Sequence, residues 1–262
     1  MEISVIIPTF KPQNYLWECL ETLRNQNMKK EKYEVLIILN GEKEPYYTKI
    51  LNYINKNKLL NFKLFYINLV GVSNARNFGI DISKGKNIIF IDDDDYVTKN
   101  YLEVLNEKVG ENTIVIPNII LFNELNKIEE KIEFIENIFS NDIIKNRDFF
   151  YIACRKIIPK DIIGKIRFKQ ELKNSEDTIF MIEISKNIKM IKTTSKDVIY
   201  YRRIRENSAY FRKKKKIEIL TNFLIQFKYM LIFFIKKGYN KEFIIMKLLG
   251  LTKGTMKRLF AR

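Results

Sequence analysis

Four short, largely apolar runs, at positions 3–7, 35–39, 64–67 and 88–91, are separated by segments whose apolar residues fall at helical spacing. The first such segment carries Leu16, Cys19, Leu20 and Leu23. The second carries Tyr47, Ile50, Leu51 and Ile54, and the third Val72, Ala75, Gly79 and Ile82, with Gly85 read as its stop. Unbroken apolar runs, unlike alternating ones, belong to strands covered on both faces. Repeated strand–helix–strand order then requires a parallel sheet with right-handed crossovers. Ligands of such sheets sit outside the carboxyl ends of the strands. At that edge Pro8, Thr9 and Phe10, the turn pair Asn40-Gly41 and the run Asp92, Asp93, Asp94 and Asp95 converge. Beyond residue 110 the pattern loosens, leaving a strand at 113–116, a helix beginning near Asp177 and a strand near 198–201.

Composition narrows the chemistry. With 262 residues, 46% of them hydrophobic, the chain buries one sizeable α/β domain plus an appendage. There is no histidine, and Cys19 and Cys154 are far apart, which excludes the usual zinc sites and a histidine base. Proton transfer falls to carboxylates, Lys, Tyr or Cys. The net charge of +16 is unevenly placed: residues 212–262 hold 14 Lys/Arg against Glu218 and Glu242, giving +12 and leaving +4 for the body. The start lacks a signal-peptide pattern, so a cytoplasmic location is expected. The longest apolar stretch, 223–235, contains Gln226 and Lys228 and falls short of the roughly 20 residues that span a bilayer.

Four consecutive carboxylates raise one another's pKa unless a cation neutralises them. In extended backbone Asp92 and Asp94 point the same way, and two hard oxygen donors at that spacing suit Mn²⁺ or Mg²⁺ carrying a substrate phosphate. The alternative is a solvated acidic loop with one Asp capping the next helix. Its place at the ligand edge of a parallel sheet favours the metal. An EF-hand is excluded because Val97 stands where its glycine is required.

The segment VSNARNFGIDISKGKNIIFIDDDD at 72–95, with SVIIPTF at 4–10 and SEDTIF at 175–180, resembles glycosyltransferase family 2. In that family an Ala-Arg-Asn-x-Gly helix leads into a strand and an Asp-x-Asp motif. The resemblance covers residues 3 to about 210. It implies a GT-A-type, Rossmann-like, mostly parallel sheet flanked by helices, a nucleotide-diphosphate sugar donor, a divalent metal and inversion at the anomeric carbon. By position it gives Pro8, Thr9, Phe10 and Asn40 to the nucleotide base and Arg76 to base and phosphates. Asp92 goes to ribose or metal, Asp93 to the donor and Asp94 to the metal. Asp177 is the base, with Glu176 the second choice. Two departures stand out. Residue 40 is Asn where the family often has Asp, and no His follows residue 200, which leaves Arg203 or Arg205 to meet the diphosphate.

The expected organisation is a catalytic domain at 1–211, divided at residue 98 into donor-binding and acceptor halves, and a basic helical tail at 212–262. The tail sets Ile217, Leu220, Leu224, Phe227, Leu231, Phe234 and Ile235 in one helical stripe, with Ile219, Ile225, Tyr229 and Phe233 on other faces. Such a helix packs on its own domain, on a second copy, or on an anionic membrane. The expected activity is sugar transfer from a uridine nucleotide sugar to a glycan or lipid-linked acceptor in surface polysaccharide synthesis. Two other classes are a non-catalytic sugar-nucleotide binder and a membrane- or nucleic-acid-binding module. The near-neutral body and the absence of a nucleic-acid reader motif speak against nucleic acid.

Overall fold

The computed structural model describes residues 1–123, 129–133, 135, 138–172, 174–204 and 215–260. Its amino-terminal part runs β1 (Ile3–Thr9), α1 (Tyr15–Arg24), β2 (Tyr33–Asn40), α2 (Tyr46–Lys56), β3 (Phe62–Ile67), α3 (Val72–Ile82) and β4 (Asn87–Phe90). There follow β5 (Tyr96–Val97), α4 (Tyr101–Lys108), β6 (Thr113–Ile116), β7 (Asn118–Asn123), β8 (Glu129–Glu133) and β9 (Phe139–Ser140). The chain continues through β10 (Ile157–Pro159), α5 (Lys160–Ile163), α6 (Glu176–Ile184), β11 (Met190–Thr193) and β12 (Ile199–Ile204), and ends on α7 (Lys216–Ile235) and α8 (Lys241–Phe260).

The main sheet has the order β3-β2-β1-β4-β10-β6-β11-β9. Strands β1 to β4 are parallel, as the strand–helix repeat requires. Every residue of β1, β2 and β4 is buried, which is why their sequences do not alternate. Strand order reverses between β1 and β4, so a crevice opens at their carboxyl ends. At the opposite end the buried Glu34 accepts from Ser4 Oγ at 2.7 Å, the Lys84 N–H at 2.7 Å and Lys63 Nζ at 2.8 Å. Gly85 belongs to this end. The helix expected to stop there ends earlier, at Ile82, and a Cβ on Gly85 would lie 2.4 Å from the Ser4 nitrogen. Glycine is required for close approach rather than for a helix stop.

A second sheet, β5-β12-β7-β8, was not foreseen beyond part of β12. Its strand β5 follows the four aspartates directly and pairs antiparallel with β12, Tyr200 opposite Val97. The acidic run is therefore the turn by which the chain leaves one sheet and enters the other. Strand β10 was also missed: three residues wedge antiparallel between β4 and β6 and join the two halves of the main sheet.

The tail forms two helices where one stripe was read. Met230, Phe233, Tyr239, Phe243 and Ile244 belong to the common core, with Phe243 edge-on to Phe150 at 5.1 Å. The charge boundary at 212 falls outside the described residues. Helix α7 begins upstream of the apolar stretch at 223–235 and is long and apolar enough, by length and composition, to cross a membrane.

Candidate active site

A cavity of about 720 Å³ opens at the carboxyl ends of β1, β2 and β4. Pro8, Phe10, Asn40, Arg76, the four aspartates, Glu176, Asp177 and Arg203 all line it. Thr9 lies just beneath, its hydroxyl donating to Asp93 Oδ2 at 2.5 Å. Arg205 lies outside the described residues.

Arg76 organises the centre. It sits on α3, whose Gly79 allows the helix to press on β1: a Cβ there would come within 2.5 Å of Ile6 Cγ2. Only 3% of Arg76 is exposed. Its Nη2 donates to Asp92 Oδ1 at 2.9 Å; its Nη1 reaches Asp177 Oδ1 at 2.5 Å and Glu176 Oε1 at 3.4 Å. The guanidinium also lies over the Phe168 ring, 5.3 Å from its centroid. Its Nε has no hydrogen-bond partner among the described residues. Burial alone would lower the Arg76 pKa, but the surrounding carboxylates raise it well above the ordinary value.

Each acid is held differently. For Asp92, burial raises the pKa, and the Arg76 charge together with hydrogen bonds from Cys154 and Arg76 outweighs it, so the carboxyl lies below its ordinary value. Asp177 accepts the Ala153 N–H at Oδ2, 3.2 Å away, besides its bond to Arg76. Glu176 is pushed up to about 7 by burial and then by the adjacent Asp177 charge. Both acids lie in the first turn of α6, where the helix dipole favours negative charge. Asp95 is buried, accepts from the Tyr200 hydroxyl at 2.6 Å and the Arg203 N–H at 2.8 Å, and is raised well above normal by burial, Asp94 and Asp92.

The remaining expected residues divide by the bonds they make. Asn40 is buried; its Nδ2 donates to the Thr9 carbonyl at 2.7 Å and its Oδ1 accepts from the Gly71 N–H at 2.9 Å. The amide thus braces the end of β1 against the start of α3. Arg203 donates from Nε to the Asp94 carbonyl at 2.9 Å and from Nη2 to Glu18 at 2.5 Å, fastening the acidic turn to β12. Its neighbour Arg202, not singled out from the sequence, also lines the cavity. Burial would lower the Arg202 pKa, but Asp95 and Asp92 raise it. Ala153 and Cys154, which contact Asp177 and Asp92, carry no local motif and were missed.

The donor set suits a hard divalent cation. Asp92 and Asp94 line the cavity wall, and Asp95, raised first by burial and then by the charges of Asp94 and Asp92, lies beside them. No group of three or more His, Cys, Asp or Glu ligands occurs among the described residues.

The family model for glycosyl transferase family 2 matches residues 4–167. The chain belongs to this family. Its family-2 relatives include the poly(ribitol-phosphate) beta-N-acetylglucosaminyltransferase TarP of Staphylococcus aureus (strain N315), 33% identical over 207 residues, or 76% of this chain and 62% of that protein. The minor teichoic acid biosynthesis protein GgaB of Bacillus subtilis (strain 168) is 30% identical over 92% of this chain and 27% of its own length. The chain thus spans less than two thirds of each. Among solved structures, S. aureus TarS 1–349 in complex with UDP-GlcNAc superposes with a TM-score of 0.77 at 19% identity, covering 100% of this chain and 73% of that one. The Pyrobaculum calidifontis mannosyltransferase PcManGT, in complex with GDP-Man and Mn²⁺, gives 0.67 at 11% identity, covering 98% of this chain and 72% of its own. These two likenesses show the GT-A-type fold, a mostly parallel sheet flanked by helices.

Proposed function

We propose that this chain transfers a sugar, with inversion, from a uridine diphosphate sugar to a hydroxyl of a cell-surface polymer of the polyol-phosphate kind. The observation that carries this reading is the buried Arg76, which ties Asp92 at a strand end to Glu176 and Asp177 at a helix start across one cavity. The relatives named for poly(ribitol-phosphate) glycosylation support the acceptor class, and the TarS complex supports the donor.

In this reading Asp94 and Asp92 hold Mn²⁺ or Mg²⁺, which when bound offsets the charge of the diphosphate. Phe10, Pro8 and the Asn40-braced loop receive the nucleotide base. Arg202 contributes positive charge toward the phosphates, and the guanidinium is suited to that because it cannot deprotonate. The Asp177 carboxylate takes the proton of the acceptor hydroxyl, the acceptor oxygen forms its bond to the anomeric carbon, and the bond from that carbon to the diphosphate oxygen breaks. Arg76 and the Ala153 N–H fix the orientation of Asp177 and leave it lone pairs for that proton. A second reading gives the base role to Glu176, whose pKa of about 7 lies nearer the working range of a general base.

Calorimetry of UDP-GlcNAc and UDP-glucose binding, with Mn²⁺ and with chelator, tests the donor site. Binding should require the cation and should weaken most in Asp94→Ala. Equal affinity for the preferred donor in chelator, or in Asp94→Ala, would remove the metal from the site.

A further inference from the structure

We infer that the α7–α8 hairpin is a docking surface for an anionic lipid bilayer, a partner beyond the donor and acceptor of the transfer reaction. A helix on the outside of a water-soluble body turns its apolar side inward. Helix α7 is apolar on both sides: Met230 and Phe233 are turned into the core, and a second apolar face is left uncovered. Its inward face includes the buried Gln226, while Ile217, Leu220, Leu224, Leu231, Phe234 and Ile235 are exposed. Spaced three, four and seven residues apart, they form one outward stripe, interrupted by Thr221 and Lys228. Helix α8 leaves Ile245, Met246, Leu249, Met256 and Phe260 exposed in the same manner. Among the described residues, 11 of the 20 exposed large hydrophobic side chains lie on these two helices. Scattered exposure of apolar residues is normal, whereas concentration of this kind marks an interaction surface.

Charge selects the occupant. Exposed Lys215, Lys216, Lys236, Lys237, Lys253, Lys257 and Arg258 flank the stripes, within a tail of net charge +12. A second copy docked by the same face would bring two such tails together, which like-charge repulsion opposes. Nucleic acid would meet leucine and phenylalanine where it needs phosphate contacts. An anionic bilayer satisfies both features, taking apolar side chains at the acyl boundary and lysines at the headgroups, with Lys228 able to reach the headgroups from within the stripe. The helix lies in the surface rather than crossing it, because Met230 and Phe233 are held in the core, Phe233 stacked on Tyr239 at 5.1 Å. Lys247 of α8 donates to the Arg147 carbonyl at 2.6 Å, in the segment that offers the Ala153 N–H to Asp177.

Co-sedimentation of the full chain with vesicles of phosphatidylcholine alone, and of phosphatidylcholine mixed with phosphatidylglycerol, tests the inference, and it needs no sugar donor. The wild type should bind the mixed vesicles and leave the neutral ones. Leu224→Glu combined with Leu231→Glu, and separately Lys236→Glu combined with Lys237→Glu, should each weaken binding by about tenfold or more, with melting temperature retained. Failure of the wild type to bind mixed vesicles would overturn the inference, as would equal binding to neutral vesicles or unchanged binding in both folded variants. A concentration-dependent dimer abolished by the leucine pair, without vesicle binding, would assign the face to a second copy instead.

Discussion

Arg76 carries one positive charge among three carboxylates, and little of it is accessible to water. Replacing it by Met would leave Asp92, Glu176 and Asp177 facing one another, and removal of one partner from a buried ion pair costs about 3–5 kcal/mol. Arg76→Met should lose that much stability in urea unfolding, and a loss below ~1 kcal/mol would show the carboxylates to be solvated. Asp177→Asn keeps the shape but removes the proton acceptor, so turnover should fall by about 10²- to 10⁴-fold with donor affinity nearly unchanged. The reverse ranking against Glu176→Gln would move the base to Glu176. Glu176 also predicts a pH effect. Its folded pKa of about 7 exceeds its ordinary 4.5, so its contribution to stability is complete below 4.5 and is lost as pH rises through about 7. Relative to Glu176→Gln, the wild type should lose up to about 3 kcal/mol between pH 5 and pH 8, read from unfolding curves. A constant gap across that range would contradict the burial of this charge. Each of these four residues is legible in the sequence, because motif and sheet edge mark them singly. Their meeting at one guanidinium is not, since Arg76 and Asp177 are 101 residues apart and no local period relates them.

Helix α3 packs closely on β1 beside the site. Gly79→Ala would set a methyl 2.5 Å from Ile6 Cγ2, on a stiff β-branched side chain within a fully buried strand. Such overpacking costs about 1–3 kcal/mol, whereas Gly110→Ala, whose nearest neighbour would be Thr113 Oγ1 at 3.7 Å, should be near neutral. A Gly79→Ala variant as stable as Gly110→Ala would mean that α3 shifts freely, and the cavity geometry would then loosen as well. The same helix shows what periodicity can reveal. Continuous runs and helical spacing declare β1 to β4 and α1 to α3 because each strand is a largely apolar run and each helix is long enough to show its period. Strand β10 is too short to show a period, and β7 pairs with β12 across a long stretch of chain. The single stripe read in the tail hid the break at 236–240 because apolar residues continue on both sides of it.

The carboxyl-terminal helices close the molecule as well as extending it. Met230, Phe233, Phe243 and Ile244 are each at most 2% exposed. Burying a large apolar side chain is worth about 1.5–3 kcal/mol, so four together rival the 5–15 kcal/mol by which typical domains are stable. A chain ending at residue 214 should therefore lose its cooperative melt in circular dichroism. A wild-type transition in that fragment would show that the hairpin is dispensable to the fold. The wedge of β10 has another consequence, which concerns the order of synthesis. The chain emerges amino terminus first, and β1 to β4 can assemble once Phe90 has left the ribosome. One flank of β4 then waits for Ile157, because β10 is the strand that covers it. While β5 to β9 are being made, the nascent chain presents an open edge of the sequence Asn-Ile-Ile-Phe, which any other extended segment could occupy. Three residues made late determine how long the first half of the protein is exposed to misassembly.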